Sequence, residues 1–163
     1  MRGRLRKSVV NYNSEDDTWN HINRVRVLIS DCIEALKLRG KCHDVSKLMA
    51  PEKEIFDEMT PKLKASTYGS DEYKKMLSEM KPALDHHYVA NSHHPEHSPD
   101  GIAAMTLLDI LEMLCDWKAA GERHANGSIE NSLKVNHSRF GINDQLFRVI
   151  ENTAREFGWV KNK

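Results

Sequence analysis

No apolar run in this sequence comes near the ~18 residues that a bilayer-spanning helix requires, so no membrane insertion is expected. A surplus of one charge is missing too. The 24 Lys and Arg balance 24 Asp and Glu, so no global field draws nucleic acid or an anionic surface. Cysteine is sparse: Cys32, Cys42 and Cys115 are odd in number and widely spaced. They make neither a disulfide framework nor a CxxC metal pair, which points to a reducing, cytoplasmic setting. Glycine and proline are few, and no β-branched alternating run suggests a strand. There is no phosphate-binding glycine loop, dinucleotide fingerprint or nucleophile elbow. Internal repeats, low-complexity segments and dividing linkers are also lacking.

What remains is 163 residues rich in helix formers, enough for one well-cored domain. We expect an all-α fold, a single-domain bundle of about six helices over residues 17–160. Residues 1–16 read as a flexible basic tail, with four Arg and Lys among the first seven positions. The first helix is expected over Asp17–Arg39, with Trp19, Ile22, Val25, Ile29, Ile33 and Leu36 as its apolar stripe. Gly40 is expected to end it. His21 lies at the edge of that stripe and should point partly inward. Pro51 should start a second helix through Met59, with a polar loop from Thr60 to Gly69. A third is expected over Ser70–Ala90, kinked or split at Pro82. Ser98-Pro99 reads as cap and first turn of a buried helix to Ala120. Two more follow, Ser128–Arg139 and Asn143–Phe157, with Leu146, Val149, Ile150 and Phe157 as core contacts.

Against this plain background one stretch stands out. Asp85–His97, DHHYVANSHHPEH, carries five of the nine histidines. An imidazole offers a ligand, an acid or a base. His87 shares a helix face with Leu84 and Met80, whereas His86 is turned about 100° away. His94, seven residues on, can return to the His87 face, and His93 is its alternate. His93-His-Pro-Glu-His97 also fits a zinc-protease pattern, but Pro95 breaks the helix that pattern needs. Upstream stands His43-Asp44. Downstream, the buried helix carries Asp109, Glu112 and Asp116 on one line, and carboxylates there are expensive unless paired or metal-bound. Imidazole with carboxylate suits one or two divalent transition ions, Mn, Fe, Co, Ni or Zn, whereas Mg or Ca would want mostly oxygen.

The order His21 … His43-Asp44 … Asp116 resembles the H…HD…D signature of the HD-domain metal-dependent phosphohydrolases. His43-Asp-Val-Ser-Lys47 is similar to the HD-x-G-K element of the HD-GYP phosphodiesterases and of related mixed-valent di-iron oxygenases. Cys115-Asp-Trp-Lys-Ala-Ala120 resembles the stretch that carries their last aspartate ligand. The added histidines are similar to the H…HD…H…H…D subgroup, which holds two metals. The GYP triplet is absent, with Ile102-Ala-Ala in its place. The chain also looks like small phage and bacterial proteins with an HD-x-S-K element. The resemblance covers about residues 20 to 120 and reverses the ordinary reading of His21, which alone would be a core-edge histidine.

The resemblance implies metal ligands His21, His43, Asp44, His87, His94 and Asp116, with His86, His93 and Asp109 as alternates. Asp44 would bridge two ions, and Lys47 would reach substrate phosphate. Asp109 or Glu112 is expected to hold a ligand histidine from behind or to poise the attacking water. His97 and Glu96 are expected to orient ligands. Arg123 is a candidate phosphate contact. The activity implied is phosphoester hydrolysis by metal-activated water on a nucleotide or another small phosphoester. Two other readings stand beside it: a di-iron oxygenase, and a non-enzymatic interaction module with a structural metal. A homo-oligomer stays open.

Overall fold

The computed structural model describes residues 12–66, 70–123 and 127–160, and these form seven α-helices and no strand. The fold is all-α, as expected. No helix among the described residues is long and apolar enough to cross a membrane. The chain divides into two units, 1–38 and 39–163.

Helix α1 runs Glu15–Cys42, with Glu15, Asp16 and Asp17 in its first turn and Arg39 and Lys41 in its last. That polarity matches the helix dipole at both ends. Two expectations change here. None of the apolar stripe is buried, and the helix passes through Gly40 instead of ending there. Glycine favours a helix end only where a left-handed residue is needed, and Gly40 has no positive φ. A Cβ placed on it would meet nothing within 4 Å. Gly40→Ala is therefore expected to stabilise the protein by about 0.5–1 kcal/mol. A rise in melting temperature checks it, and a fall would mean that residue 40 is not helical in solution.

Beyond α1 the chain turns sharply at His43-Asp44 into a 3-10 turn, Val45–Leu48. Helix α2 spans Glu52–Ala65. It does not stop at Met59 but continues through Pro61, whose missing N–H removes one bond from the ladder. Buried Glu52 and Met59 tie α2 to its neighbours, the 3-10 turn and α4 among them. Pro82 splits the next segment into α3, Asp71–Glu79, and α4, Lys81–Ala90. Met80, Ala83 and His87 are buried there. Pro95 opens a second 3-10 turn, Pro95–His97.

The buried helix begins later than Ser98-Pro99 suggests. A third 3-10 turn covers Gly101–Ala104, and α5 runs Leu107–Glu122 behind Thr106. Thr106 and Asp109 form a capping box, each side chain paired with the other's backbone N–H. Helices α6, Ile129–Arg139, and α7, Asp144–Glu156, start at the expected caps Ser128 and Asn143. Gly141, at φ 58°, takes the left-handed turn between them. Leu114, Ile129, Leu133, Ile142, Ile150 and Ala154 close the core, with Leu146 packed against it. Val149 and Phe157 stay 53% exposed, because Ile150 and Ala154, one turn apart, own the inner face of α7.

Candidate metal centre

The 39–163 unit brings four short segments together around Asp44. The end of α1 delivers Arg39, and His43 follows directly in the turn behind it. The following turn delivers Asp44, Ser46 and Lys47. Helix α4 with the loop behind it delivers His87, His93 and His94, and α5 delivers Glu112 and Asp116. Two donor sets result: Asp44, His87, His93 and His94 in one, and His43, Asp44 and Asp116 in the other. Asp44 belongs to both. These groups are positioned so that they could hold a metal ion.

The distances fit such a role. In the first set, Asp44 Oδ1 lies 3.4 Å from His87 Nε2 and 3.5 Å from His93 Nε2. His87 Nε2 and His94 Nε2 stand 2.8 Å apart. In the second, His43 Nε2 lies 3.6 Å from Asp44 Oδ2 and 3.7 Å from Asp116 Oδ1. Neighbouring donors around a transition ion with bonds of about 2.1 Å sit roughly 3.0–3.4 Å apart. Asp44 Oδ1 and His93 Nε2 are buried without any hydrogen-bond partner. Buried polar atoms of that kind need an explanation, and a shared cation supplies one for both.

The rear nitrogens are committed elsewhere. Glu112 Oε1 lies 3.0 Å from His43 Nδ1 and 3.2 Å from His93 Nδ1, while its Oε2 accepts from Arg39 at 2.9 Å. Glu52 Oε2 lies 2.9 Å from His87 Nδ1, and its Oε1 lies 2.7 Å from His86 Nδ1. A carboxylate can only accept, so each of these Nδ1 atoms carries the proton. Each Nε2 of His43, His87 and His93 is then left with its lone pair toward Asp44. The cluster of His43, His93 and Glu112 is therefore a hydrogen-bonded support and not a third ion site. Asn91 donates to Ser46 Oγ, which donates to Glu52, so the Glu52 carboxylate is itself fixed.

Burial sets the charge states. It pushes the imidazoles of His87 and His93 below their ordinary range. Burial, joined by repulsion from His93 and His87, takes His94 down to about 3. All three rings are neutral at pH 7, the form in which an imidazole can bind a metal ion. Burial alone would raise Asp44, but the Lys47 hydrogen bond and charge, then His43 and His87, outweigh it and hold the carboxyl below its usual range. Asp44 also sits at φ 57°, ψ 14°, a left-handed conformation that Asp adopts more readily than most non-glycine residues.

Other expected residues are not among the Asp44 donors. His21 is exposed on α1 in the 1–38 unit and joins neither donor set. His86 is 47% exposed at its side chain and meets only the far oxygen of Glu52. Asp109 is taken up by Thr106, Ser92 and Arg39, which makes it a brace for the α5 start instead of a group facing Asp44. Glu96 pairs with Arg139, and His97 bonds the Tyr88 carbonyl, so both turn from the centre. Arg123 caps the C-terminal end of α5 and is exposed. Glu52 and Arg39 carry no local signal for this role. An acidic residue in a first turn is ordinarily read as a dipole partner.

Glu52 gives a direct prediction. Glu52→Ala frees His86, His87 and Ser46 at once and should weaken metal affinity by about 10–100-fold. Glu52→Gln, which can still accept at one oxygen, should lose less. Competition against a chromophoric chelator measures both, and equal affinities in all three proteins would remove Glu52 from the centre.

No curated protein and no solved structure matches the chain. The family model described as a family of unknown function (DUF5662) matches residues 10–156, and the chain belongs to that family.

Proposed function

We propose that this protein is a metal-dependent phosphohydrolase of the HD type, acting on a nucleotide or another small phosphoester. The single observation that carries the reading is Asp44. Its two carboxylate oxygens face different donor sets, with Lys47 Nζ 2.6 Å from one of them. The residue order His43-Asp44-x-Ser46-Lys47 … Asp116 supports it, as it resembles the HD signature.

Two divalent transition ions held by these sets would supply Lewis acidity and water of lowered pKa at neutral pH. The protein does the rest. His87 and His93 are nearly inaccessible, whereas His43, Asp116 and Lys47 are partly open. Substrate therefore approaches across the His43–Asp116 side. On the other flank a cavity of about 130 Å³ touches His94, Ser92 and His97, room for a few waters and not for a nucleotide. The Lys47 ammonium, also 5.8 Å from the Phe56 ring, is a cation placed to meet phosphate oxygens at that open side. Glu112 and Glu52 keep the ligand rings oriented from behind, so binding geometry is set before substrate arrives.

Elemental analysis of the purified protein, with a phosphatase screen over nucleotides and small phosphoesters in Mn, Co, Ni and Zn, tests this. Phosphate release that depends on metal is expected. Oxygen uptake by an iron-loaded form without phosphate release would favour the oxygenase chemistry that the same signature serves. Absence of both bound metal and metal-dependent turnover would leave only a binding module.

A further inference from the structure

We propose that α1 pairs antiparallel with α1 of a second copy of this chain. The helix is 28 residues long and has no buried residue. Val25, Leu28, Ile29 and Ile33 are 38–54% exposed, and a contiguous apolar surface of that extent marks an interaction face. Exposed Leu28 and Ile33 flank a regular line within it. Ile22, Val25, Ile29, Cys32 and Leu36 recur at alternating steps of three and four, the 3.5-residue period of a two-helix seam.

Charge selects both partner and direction. Glu15, Asp16 and Asp17 fill the first turn, whereas Lys37, Arg39 and Lys41 fill the other end. Parallel pairing of two copies would set like charges together at both ends. Antiparallel pairing sets the acidic end of each against the basic end of the other and opposes the helix dipoles. Arg39 is already held by the buried Asp109 and by Glu112. Lys37, by contrast, pairs with exposed Glu34 on its own helix, a weak surface pair, so Lys37 and Lys41 are the cations concerned. The seam and the charges agree on one register. Val25 faces Ile29 of the second copy, Ile22 faces Cys32 of the second copy, and Asp17 then falls opposite Lys37 of the second copy. Both sides are the same surface, so the contact closes with two-fold symmetry.

Sedimentation of the full chain tests the pairing. The expected mass is twice 18.7 kDa, and Ile29→Asp should weaken association at least about tenfold with helical content retained. Because that variant could unfold, Asp16→Lys/Asp17→Lys, which changes only exposed residues, should also weaken the dimer. Adding Lys37→Glu/Lys41→Glu should restore it. Direction is read by mild oxidation in a Cys42→Ser/Cys115→Ser background. Ile22→Cys should give a covalent dimer through Cys32, while the background protein should give none. A monomer at every concentration, a dimer indifferent to both sets of changes, or a Cys32–Cys32 link in the background protein would each overturn the proposal.

Discussion

Replacing Asp44 by glycine or alanine is expected to remove bound metal and catalytic turnover together. Asp44 is the one carboxylate common to both donor sets. Without it the first set keeps three imidazoles and the second keeps only His43 and Asp116, too few to hold an ion against water. Stability should respond quite differently. The Asp44–Lys47 pair is partly exposed, so its loss is worth about 1 kcal/mol or less. The left-handed backbone at φ 57° suits glycine and penalises alanine by roughly 1 kcal/mol. The metal-free glycine variant should therefore be about as stable as metal-free wild type, and the alanine variant less stable than either. Metal content by elemental analysis, turnover on the best screened phosphoester and denaturant midpoints of the metal-free proteins separate these effects. Retention of full metal content in either variant would place the centre elsewhere.

The sequence exposes the ligand side of this centre more readily than the supporting side. His43-Asp44, the paired histidines and Asp116 stand out because imidazoles are scarce and a carboxylate inside an apolar helix is costly. Spacing put His94 ahead of His93 as a ligand, yet both stand in the Asp44 donor set. The turn at Pro95 brings both rings to Asp44, since the helical face on which that choice rested ends at Asn91. Glu52 was invisible for a different reason. It lies 34 residues before His86 and 35 before His87, a distance across which no periodicity speaks. Helix boundaries divide in the same way. Pro82, Ser128 and Asn143 act through their own backbone or side chain and were legible. Gly40 and Pro61 are overridden by the helices around them, an outcome that propensity cannot decide alone. Ser98-Pro99 drew the start of α5 eight residues early, because the Thr106–Asp109 capping box that sets it is formed by two side chains whose pairing the spacing did not announce.

That capping box carries the second large effect. Asp109 is only 4% exposed and accepts from Ser92 at 2.6 Å, from Thr106 Oγ1 at 2.6 Å and from Arg39 at 2.7 Å. Asp109→Ala leaves Ser92 and the Thr106 N–H without a partner and strips Arg39 of one of its two carboxylates. A loss of about 3 kcal/mol is expected. Burial on its own would raise the Asp109 carboxyl, but the hydrogen bonds from Ser92 and Thr106, then Arg39, bring it down to about 2. A carboxyl depressed in the folded state stabilises above its unfolded pKa and loses that contribution as pH falls toward the folded value. The ionised form thus adds about 2 kcal/mol at neutral pH, and roughly half of it should be gone by pH 3. Asp109→Asn keeps the shape but cannot ionise. The stability gap between wild type and Asp109→Asn, from denaturant unfolding of the metal-free proteins, should therefore hold steady down to about pH 5 and narrow below it. A gap of equal size at pH 7 and pH 3 would mean that Asp109 acts through shape and packing alone. A narrowing gap would assign the anchoring of α5, and through Arg39 the placement of Glu112 behind His43 and His93, to the charge on this one buried carboxylate.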